Sequence, residues 1–179
     1  MPQSFELSDP DRVTFGTIGP VGERMFLLQA RQESWFVTLK LEKVQVAELC
    51  RVLGRLLRDL DAPAELPGGP SLELEPFFEP DFVIRALRVG YDEIGDRVVL
   101  LCAENDDSDE SDEPDEFGEP DTESSSAKLS MTREQALALA IRGTELVEAG
   151  RAPCPRCGYP LDPRGHVCPR MNGNQPPLI

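Results

Sequence analysis

The stretch that most limits how this chain can fold lies near its end: Cys154-Pro155-Arg156-Cys157-Gly158, followed by His166-Val167-Cys168. Residues 151–179 hold seven prolines and few large apolar side chains. Such a segment cannot offset its ordering entropy by burial alone, so it needs a cross-link. A Cys-x-x-Cys pair can turn back on itself and aim two sulfurs at one centre. Gly158 stands where the turn requires a residue tolerant of positive φ, and Pro155 stiffens it. Eight residues then lead to His166, the only histidine in the chain. Zinc takes four such ligands in a tetrahedron, and binding releases on the order of 10 kcal/mol in finger-like sites. We therefore read Cys154, Cys157, His166 and Cys168 as a Cys3His zinc site. Four protein ligands close the site, which favours structural over catalytic zinc. The His-x-Cys half departs from the usual Cys-x-x-Cys, which leaves the fourth ligand the weakest member. The alternatives are a redox pair and unligated thiols. A redox Cys-x-x-Cys sits between a strand and a helix, and the prolines here forbid a following helix.

Upstream, the apolar pattern has period two. Residues 4–8, 12–18, 23–32 and 34–41 read as strands with short connections, which predicts an antiparallel meander. The period then becomes helical: Val46, Leu49, Leu53, Leu56 and Leu60 form one stripe over 43–60. Arg51, Arg55 and Arg58 lie opposite and read as a solvated face. A Pro/Gly linker covers 62–70. A short strand is expected at 72–75, then strands at 82–91 and 96–104 around an Asp92-Glu93-Ile94-Gly95 turn. Val98 to Cys102 is apolar on both faces, which predicts a central strand. Lys128 to Met131 reads as a last strand. Thr132 and Gln135 form a capping box for a helix to 149, with Gly150 as its stop. The expected fold is α+β: one twisted antiparallel sheet of six or seven strands, both helices on one face, and a small C-terminal zinc ribbon. The expected domains are 1–150, a ribbon at 151–173 and a disordered tail at 174–179.

Charge is uneven. Glu104 to Glu123 carries twelve acids and no base, leaving −3 of the net −15 for everything else. Like-charge repulsion and scarce apolar surface predict a disordered insertion over 105–126. It lacks the Asp-x-Asp-x-Asp-Gly pattern of a calcium loop. The acidity disfavours non-specific DNA binding by the whole chain. The start, Met1-Pro2-Gln3-Ser4-Phe5-Glu6, does not read as a signal peptide, and no apolar run is long enough to cross a membrane. Thiols with a zinc-like cluster point to the cytoplasm. Cys50 and Cys102 read as inert core thiols. There is no P-loop and no Gly-x-Gly-x-x-Gly, and a lone histidine on a metal leaves none for a nucleophile triad.

Gly16-Thr17-Ile18-Gly19-Pro20-Val21-Gly22-Glu23-Arg24, the Leu41-Glu42-Lys43-Val44-Gln45-Val46-Ala47 helix entry and the Cys/His ending resemble an uncharacterised, mostly actinobacterial domain-of-unknown-function family. The resemblance spans nearly the whole chain and carries the Cys and His spacing over at Cys154, Cys157, His166 and Cys168. It implies a pathway or partner only by gene neighbourhood, beside histidine-phosphatase-like and lipid-kinase-like proteins. The leading expectation is a non-catalytic zinc-binding adaptor with an unidentified protein partner. One alternative is nucleic-acid contact through Arg151, Arg156, Arg164 and Arg170. Another is an enzyme holding an anionic substrate between sheet and helix through Arg85, Arg88 or the α-helical arginine row.

Overall fold

The computed structural model describes residues 2–60, 72–105, 124–150, 152–159, 161, 168 and 170. The elements run β1 (Ser4–Leu7), β2 (Arg12–Ile18), β3 (Met25–Gln32), β4 (Trp35–Leu41), α1 (Lys43–Asp59), β5 (Phe82–Val83), β6 (Ala86–Asp92), β7 (Arg97–Ala103), β8 (Ser126–Met131) and α2 (Arg133–Glu148). The class is α+β, as expected. The strands, however, form two four-stranded sheets rather than one, ordered β2-β3-β4-β5 and β1-β8-β7-β6. Each also contains a parallel pair, β4 with β5 and β1 with β8. The pairing of Ser4 with Ser126 joins segments far apart in sequence, and such pairing leaves no local signal.

The corner between the sheets explains why 82–91 is not one strand. The Ile84 amide donates to Lys40 O in the first sheet, while the adjacent Arg85 amide donates to Ala103 O in the second. Consecutive residues therefore bond to different sheets, and the strand breaks there into β5 and β6. Strand β7 is central, between β8 and β6, and Val98, Val99, Leu100 and Cys102 are all buried.

In the first sheet, alternation sends Val13, Phe15, Leu28, Ala30, Val37 and Leu39 to the core. They meet Val46, Leu49, Leu53 and Leu57 of α1 and Ala136, Leu139 and Leu146 of α2. The same cluster includes Leu7, Val98, Leu100, Cys102, Leu129 and Met131 of the second sheet, so both sheets and both helices share one core. The helical spacing of Leu137, Ala140, Ile141, Thr144, Leu146 and Val147 predicts the buried stripe of α2, but the buried face is Ala136, Leu139, Ala140, Gly143 and Leu146. Ile141 is 38% exposed, while Gly143 is buried where α2 approaches Cys50 of α1 and Phe15 of β2. The capping box is as read: the Gln135 amide donates to Thr132 Oγ1, and the Thr132 amide to Gln135 Oε1.

The outer face of the first sheet carries a buried polar row, Thr14, Gln29 and Thr38, in cross-strand register. Its partners come from residues 72–81, which form a strap and not the expected strand. Thr14 Oγ1 donates to Leu72 O, Gln29 Nε2 to Glu75 O and Phe77 O, and Thr38 Oγ1 to Phe77 O. The strap's backbone is satisfied by side chains, so it needs no ladder. Leu74 crosses directly over Gly16, where a Cβ would collide with it. Glu75 accepts from Arg12 Nη1 and Arg31 Nη1, both at 3.0 Å.

The expected linker at 62–70, most of the acidic insertion and the tail 174–179 lie outside the described residues. The end of the expected insertion is ordered: Ser124, Ser125 and Ser126 are buried, and β8 starts at Ser126. The Glu104 amide donates to Ser125 O, and the Ser126 amide to Gln3 O. Among the described residues, no helix is long and apolar enough to cross a membrane.

Candidate metal centre

Helix α2 delivers the chain to the cysteines. Its last turn has no basic residue, and the exposed carbonyls there carry partial negative charge. Arg24, from the β2–β3 turn, supplies the missing cation by donating Nη1 to Ala149 O at 3.0 Å. The α2 end is thereby fastened to the first sheet one residue before Gly150.

Beyond it a small hairpin forms. The Cys154 amide donates to Tyr159 O, the Gly158 amide to Cys154 O, and the Leu161 amide to Ala152 O. Gly158 has φ +78°, as its place after the Cys-x-x-Cys predicts. The turn aims the backbone N–H groups of Cys157 and Arg156 at Cys154 Sγ, which hold its thiol down to about 6. Burial instead pushes the Cys157 thiol up, opposed by the Tyr159 N–H. Backbone donors directed at a sulfur stabilise a thiolate, the form that binds metal.

Cys168 arrives from fourteen residues further on, with its Sγ 4.0 Å from Cys154 Sγ. The three sulfurs of Cys154, Cys157 and Cys168 all lie within 4.8 Å of one another. A tetrahedral ion with bonds of about 2.3 Å to sulfur sets its ligands about 3.8 Å apart. A disulfide needs about 2.05 Å, and none of the five cysteines forms one. The donor set thus fits a thiophilic ion in size and chemistry. Cys154 and Cys168 are each 7% exposed. Arg170 Nη1 donates to Arg156 O, tying the Cys168 arm to the turn. His166, the expected fourth ligand, lies outside the described residues, as do Arg151 and Arg164.

The other candidates are placed apart from this cluster. Arg51, Arg55 and Arg58 are exposed, with Arg51 paired to Glu48 on the same helix. Arg85 and Arg88 are exposed. Cys50 and Cys102 are buried, and desolvation raises both thiols. The amides of Arg156 and Cys157 and the Arg24 clasp went unread in the sequence. Backbone donors carry no residue signature, and Arg24 is distant in the chain from the helix end that it caps.

The family model for the protein of unknown function DUF3090 matches residues 5–168. The chain belongs to the DUF3090 family. The matched region runs from β1 to Cys168, so the DUF3090 domain takes in both sheets, both helices and the three clustered cysteines. No curated protein and no solved structure matches the chain.

Proposed function

We propose that this DUF3090 protein is a cytoplasmic zinc-binding interaction module, with structural zinc held by Cys154, Cys157, Cys168 and His166. The observation that carries the reading is the convergence of three sulfurs at metal-ligand spacing, one of them fed by two backbone N–H groups. The ion supplies the cross-link for a segment too poor in apolar surface to order itself. His166 enters as the fourth ligand because imidazole completes a common zinc set, and it is the only imidazole available. Around the cluster, Arg156, Arg170 and Tyr159 are exposed, Tyr159 by 61%. Arginine and tyrosine are the side chains that most often anchor protein contacts. That supports a protein partner docking on the metal-ordered ribbon.

The test is elemental analysis of the full chain purified without added metal, beside His166→Ala and Cys154→Ser. About one zinc per chain is expected in the wild type, reduced affinity in His166→Ala, and loss in Cys154→Ser. A wild type that neither carries zinc nor takes it up removes the reading. The exposed Arg156 and Arg170 also favour a second reading, contact with nucleic acid. That reading requires binding that weakens steeply as salt rises; no binding at low salt ends it.

A further inference from the structure

Strand β6 forms one edge of the second sheet, and among the described residues no strand pairs with its outer side. This edge is seven residues long and contains no proline. Exposed edges of that kind are templates for pairing with another chain unless they are blunted. The opposite edge, β1, is only four residues long. On the core side of β6, Leu87 and Val89 are only partly buried. With Val44, Leu49 and Val52 of α1 they line an open groove of about 370 Å3, whose polar lining is Gln45, Glu48 and Arg85. Val44 is 72% exposed, and Ile94, at the tip of the β6–β7 hairpin, is fully exposed.

We propose that β6 pairs antiparallel with β6 of a second copy of this chain, about a two-fold axis at Val89, to make one continuous eight-stranded sheet. A two-fold perpendicular to the sheet keeps each face on its own side, so the central residue opposes itself. Centring on Arg88, Val89 or Gly90 keeps most of the seven residues of β6 paired, and charge selects among these. Centring on Arg88 would set two guanidinium groups against each other. Centring on Gly90 would match Arg88 with Asp92, but Asp92 Oδ1 already accepts from the Ile94 and Gly95 amides. It would also set Glu93 against apolar Leu87. Centring on Val89 sets Leu87 against Tyr91, Arg88 against Gly90, and Arg85 against Glu93. Arg88 then meets a glycine, Arg85 meets an opposite charge and Asp92 falls opposite Ala86, so no like charges face each other. The same register carries the exposed hairpin tip, with Ile94, toward the Val44 end of the partner's groove. Apolar surface that is open in one copy is thus covered by the other.

Sedimentation of the full chain at micromolar concentration, with Arg85→Glu, Glu93→Arg and the double exchange, tests the proposal. Both positions are exposed, so the variants should melt as the wild type does. The wild type is expected to sediment as a dimer. Each single variant places like charges across the two-fold twice and should raise the dissociation constant roughly ten-fold or more. The double variant restores opposite charges in both places and should recover dimerisation. A monomeric wild type overturns the proposal, including one that captures an extended peptide from another protein. So does a dimer that neither single exchange weakens, or one that the double exchange fails to restore.

Discussion

Among the described residues two glycines lie inside helices, and the structure assigns opposite signs to the same substitution at each. Nothing lies within 4 Å of a Cβ built on Gly54 in α1. A Cβ on Gly143 in α2 would overlap Cys50 Sγ and stand 2.8 Å from Cδ2 of Phe15, whose ring is fully buried. Alanine gains about 0.8–1 kcal/mol over glycine in a helix interior. Gly54→Ala should therefore stabilise the protein by about 0.5–1 kcal/mol. Gly143→Ala gains the same intrinsic term but forces Cys50 and Phe15 apart, at an overpacking cost of about 1–3 kcal/mol. The propensity term cancels in the comparison, so the two variants should differ by about 1–3 kcal/mol. Urea denaturation followed by circular dichroism measures this, and unchanged m-values would place the effect in the native state. Thermal midpoints should separate by about 2–4 °C for each kcal/mol. In a Cys50→Ala background the overlapping sulfur is gone, so Gly143→Ala should cost less. Equal stabilisation by both alanines would refute the packing of α2 against α1 and β2. So would a Gly143→Ala penalty that Cys50→Ala leaves unchanged.

Thiol accessibility should divide the cysteines into two classes. Chelation removes the cross-link that orders the hairpin, so Cys154, Cys157 and Cys168 should react rapidly with an alkylating reagent, although Cys154 and Cys168 are as buried as Cys50 in the folded chain. Cys50 and Cys102, packed in the main core and with thiols raised by burial, should react only in denaturant. Mass spectrometry of the labelled chain reads the split, and early labelling of Cys102 would contradict its burial. Glu75→Gln leaves Arg12 and Arg31, opposed across β2 and β3, without their shared carboxylate. Partial exposure of the cluster moderates the loss to about 1–3 kcal/mol, measurable by denaturation. Tyr91 Oη and Arg133 Nε both donate to Asp96, holding its carboxyl below the usual carboxylate range. The lowered value means that this stabilisation is present above the ordinary carboxylate pKa and is lost as pH falls through the lowered one. Asp96→Asn should flatten that acid limb of stability against pH, and an unchanged limb would show that the pairing contributes nothing.

Local chemistry was legible in the chain, and so was each element that local chemistry specifies. The alternation over 12–18 and 34–41 read as β2 and β4 because each strand has one face in the core. Thr132 and Gln135 announced α2 because a capping box is contained in four residues. The cysteine cluster was legible for the same reason: Cys154, Cys157 and Cys168 are close in sequence, and their side-chain chemistry is distinctive. What failed was remote. The expected strand at 72–75 became a strap because its hydrogen-bond partners are the side chains of Thr14, Gln29 and Thr38, which no window around residue 72 contains. The expected single sheet became two because Ile84 and Arg85 bond to different partners.

The sequence by itself determined which three cysteines cluster near its end, the strand and helix periods, the α2 cap and the buried identity of Cys50 and Cys102. Each rests on residue types or on neighbours within a few positions. Only the tertiary structure decided the division into two sheets, the parallel β1–β8 pairing, the face that α2 buries and the Arg24 clasp that fixes where the cysteine hairpin begins. Those features depend on which distant surfaces fit together, and a contact between residues a hundred positions apart is specified by shape and hydrogen-bond satisfaction in the assembled core, not by any pattern along the chain.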